Sequence, residues 1–475
     1  MPNEYRLLIG GQWVPGAKIK PVVNPYSGET VALAHRADRA QVTRAVEAAQ
    51  AGFAVTRNLP SYRREAILRR AADLIRERSE DLARTIAREA AKPIRDARGE
   101  VERAATTFSL AAGEAVRLHG EILPLDVNAL AGDRLALVRR VPLGVVSAIS
   151  PFNFPLNLVA HKVAPALAAG NTVVLKPSSS TPLTALKLGE ILLEAGLPPE
   201  ALHVVPCSPA DAEPLLSHPA VKMVTFTGSP AVGWEMKSRC GRARLCLELG
   251  GNAAAVVEPD ADLDHAAARC VVGGYSYAGQ ICISLQRLYL HESIADRFLE
   301  IYVPAVQALK AGDPLDEATQ IGPMIDEGAA RKTEEWVGRA VQAGARLLCG
   351  GGRRGNFFEP TILAGVPEDQ PVSCQEVFAP VTVVHRYADF DAALEAVNAS
   401  DYGLQAGLFT RDLSRIMAAF HRLEMGGVVV GDVPTFRADN YPYGGSKASG
   451  LGREGVRYAV EEMTELRTLV LPNSR

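Results

Sequence analysis

Three segments of the chain carry side chains suited to covalent catalysis. Gly279-Gln-Ile281-Cys282-Ile283-Ser284 sets a thiol in an otherwise apolar neighbourhood. Glu248-Leu249-Gly250-Gly251 closes an apolar run with a carboxylate, and its glycines let a ligand or another backbone approach closely. Ser150-Pro151-Phe152-Asn153-Phe154-Pro155 holds an amide between two prolines, as stiffly as a fixed hydrogen-bond donor requires. A single cysteine is ordinarily an inert core thiol, and a single Glu ending a strand is ordinarily structural. A thiol nucleophile, a carboxylate base and an amide donor for an oxyanion nevertheless form a complete set for acyl chemistry.

Two further segments suit a nucleotide. Phe226-Thr-Gly228-Ser229-Pro-Ala-Val232-Gly233 passes from a strand into a helix, where Ser229 is expected to cap and free N–H groups can face a phosphate. Leu175-Lys176-Pro177-Ser178-Ser179 ends another strand, and in open α/β sheets such ends face the ligand crevice. Either could equally be an ordinary turn with a solvated lysine. Gly450-Leu-Gly452-Arg-Glu-Gly455 satisfies G-x-G-x-x-G, yet no apolar strand precedes it and 20 residues remain after it, too few for the rest of a βαβ unit. It reads as a loop turning into a terminal helix.

These segments need a scaffold, and the pattern predicts one. Strands are expected at 6–9, 12–14, 135–141, 145–149, 172–175, 203–205, 223–226 and 245–249, then at 253–257, 287–290, 381–385, 427–430 and 468–471. Helices are expected at 39–57, 63–91, 99–118, 161–169 and 182–195, then at 294–308, 329–343 and 390–398. The alternation implies α/β architecture with doubly wound parallel sheets. The 475 residues suffice for about three domain-sized units. A balance of 51 Lys+Arg against 54 Asp+Glu gives no electrostatic reason to expect nucleic acid or an anionic membrane as partner. Seven cysteines without a C-x-x-C spacing argue against a zinc framework and suit a reducing compartment, so no metal is expected. With neither a signal-peptide pattern nor a run of 18 apolar residues, the expected location is the cytoplasm.

The motifs Pro151-Phe-Asn153-Phe-Pro155, Lys176-Pro-Ser178, Phe226-Thr-Gly228-Ser229-x-x-x-Gly233, Glu248-Leu-Gly250-Gly251, Gly279-Gln-x-Cys282 and Gln375-Glu376-Val-Phe378-Ala-Pro380, in this order across nearly the whole chain, resemble the aldehyde dehydrogenase superfamily. The resemblance implies a Rossmann-like cofactor domain (1–119 and 141–250), an α/β catalytic domain (251–445) and a small β element for oligomerisation (120–140 and 446–475). It implies Cys282 as nucleophile, Asn153 as oxyanion amide and Glu248 as the base that hydrolyses a thioester. NAD or NADP would lie along Ile149, Ser150, Pro151, Phe152, Lys176, Ser178, Ser179, Phe226, Gly228, Ser229, Val232, Leu249, Gly250, Glu376 and Phe378. Strongly NAD-preferring relatives usually carry Glu where this chain has Ser179, so tolerance of or preference for NADP is expected. In the CoA-acylating branch the base position is typically not Glu, so a free acid is expected as product. Segments 279–287 and 433–440 resemble the lactaldehyde and non-phosphorylating glyceraldehyde-3-phosphate dehydrogenases. By that likeness a small hydroxylated aldehyde would meet Arg103, Ile281, Ile283, Phe436 and Arg437. Ile281 stands where phosphate-handling relatives tend to carry Arg, which weighs against a phosphorylated substrate. A homodimer or homotetramer, with 468–471 as an intermolecular edge strand, completes the expectation.

Overall fold

A computed structural model describes residues 3–131 and 134–472. Its largest sheet has eight strands in the spatial order Gly450–Leu451, Arg244–Glu248, Val221–Thr227, Val145–Ile149, Thr172–Lys176, Leu202–Val204, Leu7–Ile9, Gln12–Val14. The five from Arg244–Glu248 to Leu202–Val204 run parallel, and the outer ones are antiparallel. Val145–Ile149 and Thr172–Lys176 are buried along their whole length, as strands covered by helices on both faces must be. The helix Asn157–Ala169, buried at every position, covers one face together with Ser61–Glu77, Ile94–Ala115 and Leu183–Glu194. Arg39–Thr56 covers the other.

A seven-stranded sheet follows in the order Arg346–Cys349, Thr361–Ala364, Val381–Tyr387, Leu285–His291, Ala253–Val257, Gln405–Phe409, Gly427–Val430, parallel except at Arg346–Cys349. Thr464–Pro472 pairs antiparallel with Arg134–Pro142, which pairs with Glu121–Pro124, in a separate three-stranded sheet. Positions 132, 133 and 473–475 of the expected bridging pieces lie outside the described residues.

The structure corrects several expectations. The helical run at 63–91 is two helices, Ser61–Glu77 and Ser79–Ala90, broken at Arg78 although neither Gly nor Pro stands there. Both helices pack against Ile94–Ala115 and Leu183–Glu194, and no residue of the run marks the break. The helix expected from 99 begins at Ile94, directly behind Pro93, because a helix start has no use for a proline's missing N–H. Ser229 precedes the helix Pro230–Lys237 but makes no side-chain capping bond, and Pro230 occupies the first turn instead. Strands Lys18–Val23, Thr30–Arg36, Thr361–Ala364 and Gln405–Phe409 were not foreseen. The glycines of the 450–455 motif serve backbone packing: a side chain at Gly450 would meet the Leu247 carbonyl, and one at Gly455 that of Tyr441.

Candidate active site

The parallel strands of the large sheet deliver their carboxyl ends to one edge. Ser150, Lys176, Thr227 and Glu248 therefore stand side by side, tied by Ser150 N–H to the Lys176 carbonyl (3.1 Å) and Gly228 N–H to the Glu248 carbonyl (3.1 Å). Asn153 follows the Val145–Ile149 strand and is 3% exposed. Its amide donates to the carbonyl of Gln280 (2.9 Å), which leaves the second amide hydrogen for another acceptor. The segment around it is pinned by Glu100, whose carboxylate accepts from Leu156 N–H (2.9 Å) and Asn157 N–H (3.1 Å) and pairs with buried Lys92. Lys92 in turn lies 3.6 Å from the centre of the Phe154 ring.

Cys282 sits on the loop between helix Leu263–Tyr275 and strand Leu285–His291. That loop is held under strain. Tyr277 and Ala278 are left-handed (φ 49° and 52°), and Gly279 (φ 68°) has no room for a side chain against the Ala379 carbonyl. Gln280 locks it further by accepting Ile325 N–H (2.9 Å) on its side-chain oxygen. The Cys282 sulfur lies 3.1 Å from the Tyr443 hydroxyl. Burial pushes this thiol up to about 11, while the Tyr443 hydrogen bond and the charge of Arg437 pull it down.

Glu248 is 3% exposed, and neither carboxylate oxygen has a hydrogen-bond partner. Burial, with repulsion from Glu454, raises it well above the ordinary carboxylate range. A side chain at Gly444 would come within 2.8 Å of its Oε1, so that glycine leaves the carboxylate its space. An unbonded, buried carboxyl of raised pKa is the form in which a carboxylate can take a proton near neutral pH.

A cavity of about 840 Å³ opens above Cys282. It is lined by one face of helix Ile94–Ala115 (Arg95, Gly99, Arg103, Thr106, Leu110) and by Ile281, Ile283, Arg437 and Tyr443. Arg103 binds Asp439 through two bonds (2.7 and 3.2 Å). Burial opposes ionisation of Asp439, but donors on His161 and Arg103 hold it below the usual range. Arg437 pairs with Glu454 (3.0 Å), which also accepts from Lys162 (2.9 Å). Despite burial, those two cations keep Glu454 at about 2. Phe436 is 48% exposed, does not line the cavity, and accepts from Gln405 and Tyr441 on its carbonyl.

The nucleotide positions divide into two groups. Near the cavity, Phe152 and Phe378 meet edge to face at 5.9 Å, with Phe378 held at φ 56°. Glu376 accepts Gly251 N–H (3.0 Å), and burial raises it to about 7 against the pull of that bond and of Lys332. A side chain at Gly250 would strike the Glu376 carboxylate, so the glycine keeps a cradle open. Further out, Ser179 and Arg36 line a second cavity of about 360 Å³ with Lys18, Lys20 and Ser208. Arg36 Nη2 donates to the Ser179 carbonyl (2.6 Å), and its Nη1 is buried without a partner. Ile149, Lys176, Phe226 and Leu249 are buried, Val232 is 43% exposed, and the Ser178 hydroxyl accepts Ser180 N–H (3.3 Å). The hydroxyls of Ser150 and Thr227 and Nη1 of Arg36 are buried without a hydrogen-bond partner. Sequence reasoning missed Tyr443, Glu454, Lys162 and Arg36. Of these, Glu454 stood inside a segment already singled out, the Gly450–Gly455 motif, where it read only as part of a turning loop.

Residues 13–469 match the aldehyde dehydrogenase family, and the chain belongs to it. It is 46% identical over 470 residues to a 3-sulfolactaldehyde dehydrogenase of Priestia megaterium, covering 99% of this chain and 98% of the relative. Against a lactaldehyde dehydrogenase of Methanocaldococcus jannaschii the identity is 40% over 470 residues, covering 98% and 100%. Aldehyde dehydrogenase 21 of Physcomitrella patens, solved with the reaction product succinate, superposes with a TM-score of 0.97 at 43% identity, covering 100% of this chain and 99% of that one. The glyceraldehyde-3-phosphate dehydrogenase GapN of Methanocaldococcus jannaschii, complexed with NADP, superposes with a TM-score of 0.93 at 40% identity, covering 96% and 100%. The protein is an NAD(P)-dependent aldehyde dehydrogenase that oxidises an aldehyde to the carboxylic acid.

Proposed function

We propose that the substrate is a short 2-hydroxyaldehyde, oxidised on Cys282 and released as the free acid. The observation that carries this reading is the state of the cavity's two inner arginines. Arg103 and Arg437 are each already neutralised by a buried carboxylate, Asp439 and Glu454. They offer hydrogen bonds to a hydroxyl or carbonyl more readily than two free positive charges to a phosphate. Ile281 beside the thiol adds no charge. The relatives named for lactaldehyde and 3-sulfolactaldehyde share a hydroxyl next to the carbonyl.

In the proposed reaction the Cys282 thiolate adds to the aldehyde carbon. The carbonyl electron pair moves to oxygen, where the free hydrogen of the Asn153 amide can hold it. When bound, the nicotinamide would supply the hydride acceptor; Glu376 would hold its ribose, and Phe152 and Phe378 would flank it. Glu248 then takes a proton from the water that cleaves the resulting thioester. Lys176, Ser179 and Arg36 would hold the adenosine end, and Arg36, Lys18 and Lys20, which line this cavity together with Asp38 and Asp211, would favour the 2′-phosphate of NADP. The proposed domain division is 1–119 with 141–250, 251–445, and 120–140 with 446–475; a second copy would cover the free edge of Thr464–Pro472, in a homodimer or homotetramer. Among the described residues no helix is long and apolar enough to cross a membrane; the cytoplasm is the proposed location.

A second reading has its own observation. Arg95 stands exposed at the cavity mouth and makes no ion pair among the described residues. It could meet a sulfonate on the third carbon. The test measures kcat/KM without CoA for lactaldehyde, 3-sulfolactaldehyde and glyceraldehyde 3-phosphate, each with NAD and NADP. A hydroxyaldehyde lacking phosphate should be the best substrate. A phosphorylated aldehyde tenfold better than both others would overturn the proposal. Arg95→Ala should raise KM for 3-sulfolactaldehyde alone if the second reading holds.

A further inference from the structure

We propose that Tyr443 is a catalytic residue whose hydroxyl donates a hydrogen bond to the Cys282 sulfur and so stabilises the attacking thiolate. The inference rests on the assignment of Cys282 as the nucleophile. The contact is direct, 3.1 Å from oxygen to sulfur, and the phenol is 2% exposed, so water does not compete for it. The ring is fixed from behind. The Arg437 guanidinium lies 3.7 Å from its centre, and Glu454, itself held by Lys162, holds Arg437. A cation on the ring face draws electron density from the phenol and makes its O–H a stronger donor.

The direction of the bond follows from which group ionises. Burial raises both groups, the Tyr443 phenol well above its ordinary value, so the phenol keeps its proton when the thiol loses one. A neutral thiol can donate to Tyr443 or accept from it; a thiolate can only accept. The tyrosine therefore favours the ionised form. When sulfur bonds to the aldehyde carbon, the negative charge passes to the carbonyl oxygen and the phenol is released. The thiol proton leaves beforehand to solvent through the cavity. The other charged groups around the sulfur are Arg437, Glu376 and Glu248, with the pairs Arg103–Asp439 and Lys92–Glu100 across the cavity. Tyr443→Phe keeps the ring against which Arg437 packs and removes only the hydroxyl.

The experiment compares iodoacetamide alkylation of Cys282, between pH 6 and 9, in the intact enzyme, Tyr443→Phe, and enzyme carrying 3-fluorotyrosine at position 443. A hydrogen bond to a charged group corresponds to roughly one to two pH units of thiol ionisation. The rarer thiolate is partly offset by its greater intrinsic nucleophilicity, so Tyr443→Phe should react about three- to tenfold more slowly. The fluorinated phenol, a stronger donor of nearly unchanged size, should react faster than the native enzyme. That order of rates, with kcat/KM following it, supports the assignment. Equal rates for Phe and Tyr, or slowing by both substitutions, overturns it and leaves Tyr443 as packing. Should Tyr443→Phe not fold, the fluorotyrosine enzyme decides alone: faster alkylation supports the hydrogen bond, and unchanged or slower alkylation refutes it.

Discussion

At the scale of single residues, burial shifts the reacting groups, and the sign of each shift makes a prediction. Cys282 is pushed up to about 11, so thiolate is the minor form throughout the neutral range. Each pH unit upward then multiplies it by about ten, and alkylation of the enzyme without cofactor should climb with that slope from pH 6 to 9. A plateau near pH 7 would mean that the thiol is far more acidic than its burial implies. The positive nicotinamide of NADP should accelerate the same alkylation. Glu248 has no hydrogen-bond partner to lose, so Glu248→Gln should leave folding and the first hydride transfer nearly intact. Turnover should fall about 10²–10⁴-fold after one equivalent of reduced cofactor, and hydroxylamine should release the trapped acyl group. A variant that neither bursts nor slows would remove Glu248 from the hydrolytic step. Asn153→Ala should cost about 10²–10³ in kcat by removing one oxyanion donor.

At the scale of elements, strand ends and the loops that follow them carry the chemistry, and the loop geometry is stored in a few glycines. Gly279→Ala places a methyl group against the Ala379 carbonyl at a left-handed position, two strains in one residue. The expected cost is roughly 1–3 kcal/mol in urea unfolding, with a larger loss in kcat because Cys282 moves with the loop. Ser179→Glu puts a carboxylate into the cavity that holds Arg36, and should shift preference from NADP to NAD by at least about tenfold in KM ratio. The difference between what was readable and what was not has a physical basis. The buried strands Val145–Ile149 and Thr172–Lys176 read clearly because burial on both faces demands unbroken apolar runs. Gln405–Phe409 did not, because its Gly407, where a side chain would come within 2.7 Å of the Asp432 carbonyl, dilutes the signal. Cys282, Glu248 and Asn153 were found together because each sits in a short constrained motif. Glu454, Lys162 and Arg437 form their network across a helix and two loops, and no local spacing records that Lys162 lies beside a residue 292 positions away.

At the scale of the whole molecule, the three-stranded sheet is the part that the single chain leaves unfinished. Thr464–Pro472 is paired along its length on one side only, with Arg134–Pro142. Leu466, Leu469 and Val470 are at least half exposed, and Ile122 on the same sheet is 71% exposed. A nine-residue edge of this kind templates further pairing, and a soluble protein ordinarily covers or blunts it. The blunting devices are weak here: Glu465 and Arg467 are charged, but the four residues from Thr468 to Leu471 carry none. A second copy pairing at this edge would bury the apolar side chains and satisfy the open backbone groups together. Sedimentation of the native enzyme should therefore give a dimer or tetramer. Replacing Leu469 and Leu471 with lysine adds two like charges per chain to the edge, and pairing two such edges would bring four together without counterions. The double variant should sediment as a smaller species while keeping the Cys282 cavity, which is built from other elements of the same chain. An unchanged mass would place the interface elsewhere on the surface. A monomeric native enzyme would mean that the charged flanks of the edge suffice to keep it alone.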